Sequence, residues 1–424
     1  MHRSINPPVF SYILIFHCCN STGHPRTAGL DDIDIYAYSK DIINKPKPKQ
    51  LFGPWLDLLK QPFTGITTDG IRREGLYDLA DEGAPTQEMV AAAKLVQDCL
   101  SSEEKRKACY DIDAEEWRQW CNPEFVFLDT GIRLTVLPQQ KIDLVLGLLK
   151  ASLSPSGYEK AVGSMRTNHF LGEIVHAKSI LNQHSYHFSL FGEPSETKPW
   201  GFSFFGHHLC LNIFVLGKQM TVSPAFVGAE PNVIDSGPWQ GLTLLTMEAS
   251  SALELMQSLS PELQQKAQIY KKMHDPAMPE GRWHPADQRH LGGAFQDNRV
   301  IPYEGIAVVD MTKGQQEKLL SVVATFLNIL PSEPFKARMR QIESYLSETY
   351  FCWIGGFGDE DPFYYRIQGP VICLEFDHHA GVFLLNAEPA KCHIHTILRT
   401  PNGNDYGKEW LRLFRGGDKV GNST

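Results

Sequence analysis

Helix-like and strand-like sequence occupy separate stretches of this chain, and that segregation limits its fold more than any other feature. Apolar and β-branched residues dominate the short runs 186–191, 201–205, 208–216 and 219–222, with Gly217-Lys218 reading as a hairpin turn. A second β-rich block covers 350–398. Helical spacing governs 87–100, a charged stretch from Ser101 towards Trp120, the run 142–149, and a segment opening at Ser154-Pro155. It returns between the blocks at 242–259, after Ser260-Pro261, over 312–330 and after Ser332. Ser101 with Glu104, and Thr312 with Gln315, have capping-box spacing. A helix-rich first third followed by two β-rich blocks separated by helices predicts an α+β fold with a mainly antiparallel sheet, not a doubly wound parallel one.

The two β-rich blocks share a pattern. Phe202-Ser-Phe-Phe-Gly206-His-His-Leu-Cys210-Leu-Asn212-Ile aligns without a gap to Tyr365-Arg-Ile-Gln-Gly369-Pro-Val-Ile-Cys373-Leu-Glu375-Phe, which suggests a duplicated unit. Strand periodicity sets Gly206, His208, Cys210 and Asn212 on one face, matched by Gly369, Val371, Cys373 and Glu375. Leu209, Leu211 and Ile213 point the other way with Ile372, Leu374 and Phe376, and form the better core candidate.

With 424 residues, 42% hydrophobic and 11% aromatic, the chain buries a large core without a metal or disulfide staple. A formal net charge of -9 and the lack of a clustered basic face argue against nucleic acid as a partner. Lys45-Pro46-Lys47-Pro48-Lys49 reads as an extended linker. The expected organisation is a partly flexible leader and linker over 1–50, a single catalytic unit over 51–415 and a flexible tail over 416–424. Nine irregularly spaced cysteines without a Cys-x-x-Cys pair favour a reducing, cytoplasmic setting. The apolar run 9–16, followed by Cys19 and Ser21, keeps a secreted form after signal cleavage as the alternative. Asn20 and Asn422 head glycosylation sequons in the two tails. No run of 18 apolar residues marks a membrane span.

Chemistry concentrates on the strands. His393 and His395, two apart, project from one face and present two imidazoles to one ion. Glu375, Asp377 and His379 share a face by the same rule, with His378 opposite. His208 is preferred over His207 because it shares a face with Asn212. Arg366 and Arg399 suit a carboxylate, phosphate or enolate-like oxygen, or else a buried pair with Asp377 or Asp405. Asp405 and Tyr406 are placed to orient a histidine or donate a proton, unless their loop is ordinary turn chemistry. The irregular segment holding Arg282, His284 and His290 has the composition of a lid or cleft wall. No Gly-x-Ser-x-Gly elbow, phosphate loop or His-Glu-x-x-His occurs. Cys392 points away from its neighbour His393 and is a poor thiol nucleophile.

Phe191-Gly192-Glu-Pro194-Ser195, Pro199-Trp200-Gly201, Gly206-His207-His208-Leu209, Pro224-Ala-Phe226-Val-Gly228-Ala229-Glu-Pro231, Tyr365-Arg366-Ile-Gln-Gly369-Pro370, His393-Ile-His395-Thr396 and Asn404-Asp405-Tyr406-Gly407 together resemble the uncharacterised domain-of-unknown-function family 3500. The likeness spans about 62–411 and implies one family unit; it brings no activity with it, and the first 50 or so residues lie outside it.

The leading expectation is a metal-dependent hydrolase or lyase acting on a small anionic or carbonyl-containing substrate. His208, His393 and His395 would bind a divalent ion such as zinc, with Glu375 as fourth ligand or general base. Arg366 and Arg399 would hold the anionic group, and Asn212, Arg282, His284 and His290 would contact the substrate. The alternatives are a metal-free His/Glu acid-base enzyme and a non-catalytic small-molecule-binding protein.

Overall fold

Each β-rich block folds as an antiparallel meander, and the two meanders join edge to edge. The computed structural model describes residues 29–421, so the apolar run 9–16, Cys19, Ser21 and the sequons at Asn20 and Asn422 lie outside the described residues. Short strands β1 (Cys109–Tyr110) and β2 (Ile132–Arg133) precede the first meander, β3 (Tyr186–Phe191), β4 (Trp200–Gly206), β5 (Leu209–Leu216) and β6 (Gln219–Ala229). Short strands β7 (Gln268–Tyr270) and β8 (Ile306–Ala307) precede the second, β9 (Tyr350–Gly355), β10 (Phe363–Gln368), β11 (Cys373–His378) and β12 (Ile394–Arg399).

The sheet order is β1-β3-β4-β5-β6-β12-β11-β10-β9-β7, with β2 on β3 and β8 on β9. It reads the same from either end. Helices repeat in the same order: Thr86–Cys99 and Ser102–Ala108 before β1 correspond to Thr246–Ser258 and Pro261–Ala267 before β7. Gln139–Ser152 and Pro155–Ile174 before β3 correspond to Lys313–Leu327 and Ser332–Ser344 before β9. The aligned stretches at 202–213 and 365–376 fall on β4–β5 and β10–β11, equivalent hairpins of the two halves. The fold is α+β, with a mixed but mostly antiparallel sheet.

Local chemistry explains most boundaries. Both capping boxes form: Ser101 Oγ accepts from Glu104 N, and Gln315 Oε1 accepts from Thr312 N. Ser154 and Ser260 cap helices that begin on proline, whose missing N–H has no partner to lose in a first turn. Two readings need correction. The helix opened by Ser101 stops at Ala108 instead of running towards Trp120, because Cys109 and Tyr110 pair in parallel with Leu190 and Phe191. Lys45 to Lys49 is no extended linker: Pro46 and Pro48 sit in the first turn of the helix Pro46–Leu59, again where their lost donors cost nothing.

Strand β6 also runs past Val222 to Ala229, through Pro224. The β5 register shifts between Leu211 and Ile213, and Asn212 Nδ2 at this bulge donates to Pro224 O at 3.0 Å. At the other end the helix Lys408–Gly421 carries on across position 416. No helix among the described residues is long and apolar enough to cross a membrane.

The two faces of the second meander differ in character. Tyr365, Leu374, Phe376 and Ile394 are buried on one, with Phe326 6.3 Å from the Tyr365 ring and the Tyr365 hydroxyl donating to Glu248 O. The other carries Tyr364, Arg366, Glu375, Asp377, His395 and Arg399, all buried. The irregular segment between β7 and β8 covers this polar face. Arg399 clamps it down: Nη1 meets Asp297 Oδ1 at 2.6 Å and Asp405 Oδ2 at 3.0 Å, while Nε and Nη2 donate to the carbonyls of Gly292 and Gly293. Asp297 also accepts from Arg118 Nε at 2.8 Å and from the Tyr406 hydroxyl at 2.9 Å. Replacing Asp297 by Ala leaves two buried guanidiniums short of charge, and is expected to cost about 3–5 kcal/mol in denaturant unfolding. A loss under about 1 kcal/mol would show that the clamp does not depend on it.

Candidate metal centre

Five buried histidines meet where β6 joins β12. His395 lies on β12 opposite Gly228 of β6 on one side and Asp377 of β11 on the other. His393 stands just before β12, on the same side as His395. His379 follows β11, and His290 comes from the covering segment. His208 arrives from the first half, but not as the leading residue of a strand. It is the second residue of the two-residue turn between β4 and β5, with φ 64°. Strand alternation therefore does not separate it from His207, whose ring stacks on it at 3.8 Å while its Nδ1 meets Asn168 Oδ1. The left-handed backbone is held on both sides: His208 N–H donates to Asn122 Oδ1, and His208 O accepts from Gly228 N and Ser164 Oγ.

The ring nitrogens converge. His395 Nε2 lies 3.0 Å from His393 Nε2 and 3.1 Å from His208 Nε2. A second triad of His290, His379 and His395 has its ligand atoms within 4.8 Å of one another. Behind three of the rings stands a carboxylate: Glu230 Oε1 is 3.7 Å from His393 Nδ1, Asp377 Oδ2 3.0 Å from His379 Nε2, and Glu375 Oε2 3.8 Å from His290 Nδ1. His393 Nδ1 also meets Ala380 O at 2.9 Å. Glu230 is itself fixed, since its Oε1 accepts from the N–H groups of Val382, Phe383 and Leu384.

Electrostatics follow from burial and from these neighbours. Burial, reinforced by the adjoining rings, holds His208, His379 and His395 well below the usual imidazole range, so they are neutral. At His290 burial acts the same way, but the adjoining Glu375 carboxylate outweighs it and raises the ring above its ordinary value. Burial would push Glu375 up; His290, Arg366 and Tyr364 overcome this and hold its carboxyl far below the usual range.

Residues 82–408 match a family described as protein of unknown function (DUF3500). The chain belongs to this family. No curated protein and no solved structure matches it. The DUF3500 match begins some way after Pro62 and contains all five histidines and every candidate site residue named from the sequence.

Within this DUF3500 unit the structure brings some of those residues together and separates others. Glu375 does not face the His208, His393 and His395 nitrogens; its oxygens accept from Leu291 N, Gly292 N and the Tyr364 hydroxyl, so it backs His290 instead of standing as a fourth ligand. Arg399, Asp405 and Tyr406 belong to the clamp already described, with Asp405 Oδ1 bonded to Ser223 Oγ and Thr400 N. Arg366 pairs with Glu304 at 2.8 Å, and its Nη1 is 3.5 Å from the Tyr364 hydroxyl. Arg282 stacks over the Tyr364 ring at 5.1 Å, is only 6% exposed, and has Nε and Nη2 without hydrogen-bond partners. His284 lies apart, against Trp55. Asn212 is spent on the β5 bulge.

Sequence reasoning did not select Glu230, Gly228, Asn122 or Tyr364. An isolated Glu before Pro231 carries no pattern, and Gly228 gains its meaning only from the strand across from it. Period two puts His379 on the face of Glu375 and Asp377 without marking it as a ligand.

Two predictions follow from this packing. Burial holds His187, His207 and His378 down at about 3, against 6.5 for the free side chain. Below about 6.5 the unfolded chain binds protons that the folded one refuses, so stability falls with falling pH by about 1.4 kcal/mol per ring per unit. Denaturant midpoints measured from pH 7 to 4.5 should therefore drop steeply; a flat profile would contradict neutral burial. At position 208, Gly accepts the positive φ that Ala resists, so His208→Gly should be more stable than His208→Ala by about 1 kcal/mol, compared in chelator. Equal stabilities would mean that the turn relaxes.

Proposed function

We propose that this chain is a divalent-metal-dependent enzyme, a hydrolase or lyase acting on a small anionic or carbonyl-containing molecule, with the ion on His208, His393 and His395. One observation carries the reading. The Nε2 of His395 touches two other Nε2 atoms at once, yet a ring nitrogen has a single in-plane site and makes one good hydrogen bond. A cation among the three satisfies all of them: ligand nitrogens about 2.0–2.1 Å from a tetrahedral ion lie roughly 3.3–3.4 Å apart, close to the spacings found. The burial of all three rings, the neutral state of His208 and His395, and the carboxylate behind His393 support it further.

An ion on these three imidazoles would supply the acidity that turns water into a nucleophile or polarises a carbonyl. The chain supplies the rest. Arg282, whose Nη2 has no partner and whose Nε is 3.8 Å from Glu304, and Arg366 would anchor the anionic group beside Tyr364, and Arg282 takes the part that Arg399 was expected to play. Zinc is the ion best suited to an all-imidazole set in a hydrolytic site.

Elemental analysis of tag-free full-length protein should find zinc or a comparable ion at one equivalent per chain or more. His395→Ala should lose the ion, with at least a 100-fold drop in turnover of responsive ester or carboxylate substrates. Arg282→Met should keep the ion and raise KM. Stoichiometry near zero after careful loading sinks the proposal.

A second reading, metal-free acid-base catalysis by His290 with Glu375, is favoured by the raised protonation of His290 and its two unpartnered nitrogens. It requires activity that strong chelators leave intact.

A further inference from the structure

We propose that the cluster holds a second divalent ion, on His290, His379 and His395, beside the first. This rests on the metal reading above, because the two sites share His395. The ligand atoms of this second triad lie within 4.8 Å of one another and all three rings are buried. Neither nitrogen of His290 has a hydrogen-bond partner, and the contact of His379 Nε2 with Asp377 at 3.0 Å leaves the other ring nitrogen for an ion. Buried imidazoles left unbonded in this way cost folding free energy that a cation between them would recover.

The orientation of the shared ring supports two separate positions. The Cδ2 edge of His395 faces β6, 3.0 Å from where a Cβ on Gly228 would stand. Nδ1 flanks Cγ on the opposite side and so turns towards β11, the strand that leads into His379. Nε2 meets His208 and His393, leaving Nδ1 for the second ion; the ring would bridge the two as an imidazolate, its N–H proton released to solvent when both ions bind. Carboxylates stand behind both new ligands, Glu375 at His290 and Asp377 at His379, and each is locked in turn, Glu375 by Leu291 and Gly292 N–H and Asp377 by Arg289 Nε at 2.6 Å. Imidazole donors select zinc, copper or nickel over magnesium or calcium. The second ion also sits on the substrate side: the His290 ring is 6.3 Å from the Tyr364 ring, over which Arg282 stacks. An anionic group held by Arg282 thereby reaches the second ion before the first.

The test is stoichiometry on the full chain, stripped by chelator, reloaded with zinc and freed of excess by gel filtration. Wild type should hold two ions. The double variant His290→Ala/His379→Ala should hold one, as should the milder His290→Gln/His379→Gln, with far-UV circular dichroism showing the native fold. Loaded with copper(II), wild type should show the weakened, coupled resonance of two ions joined through one ring, and the double variants the full signal of an isolated ion. One ion in wild type, or two retained in the double variants, overturns this inference and leaves the first site standing. No ion in wild type overturns both.

Discussion

The absence of a side chain at Gly228 is the condition on which the site depends. A Cβ there would stand 2.9 Å from His208 Cδ2, closer than Cβ atoms approach other atoms, and 3.0 Å from both His395 Cδ2 and Ile394 O, tighter than most real contacts. Gly228 lies in β6, the strand through which the first half pairs with β12 of the second. Only a glycine at this register lets the β4–β5 turn of one half lean over a strand of the other, so that an imidazole from each meets. Its N–H also bonds His208 O, fixing the turn it makes room for.

Around this contact the polar face is charge-matched to an unusual depth. Arg118, Asp297, Arg399 and Asp405 form a fully buried chain of ion pairs, Arg289 neutralises Asp377, and Glu304 faces Arg366. Such pairs survive burial only when every remaining donor and acceptor is used, as at Arg399. Among the buried atoms without a hydrogen bond are His208 Nδ1, both nitrogens of His290, His379 Nε2, Glu230 Oε2 and two nitrogens of Arg282. Unmatched buried atoms beside so fully satisfied a clamp are the contrast on which the metal proposal draws.

Much of this was legible in the chain, for reasons that can be named. Period two puts His393 with His395 and Glu375 with Asp377, and it sends His378 to the aromatic face, where Phe363 N–H donates to its Nδ1. Serine and threonine caps mark helix starts because their effect is local. A twelve-residue alignment locates the repeated hairpins, since equivalent strands bury equivalent faces. What escaped was tertiary. Arg399 and Asp297 are far apart in sequence, and nothing near either announces the pair. His290 lies in a segment without period, so no spacing rule assigns it a direction. His208 was selected for sharing a strand face with Asn212, whereas it reaches the cluster through a strained turn, and Asn212 serves a bulge instead.

The strand order that reads alike from both ends also speaks to how such a chain arises. A first half alone would present the eleven-residue β6 as a bare edge with its backbone groups unpaired. The surface best shaped to cover it is the same edge of an identical copy, turned by half a revolution, which is the arrangement of an isologous dimer. Fusion of two such copies would have freed each to diverge. Asn212 on one side and Glu375 on the other occupy equivalent places, and only the second backs a histidine. The asymmetry of the cluster is thus laid over a symmetric strand order, with His208 alone coming from the first half.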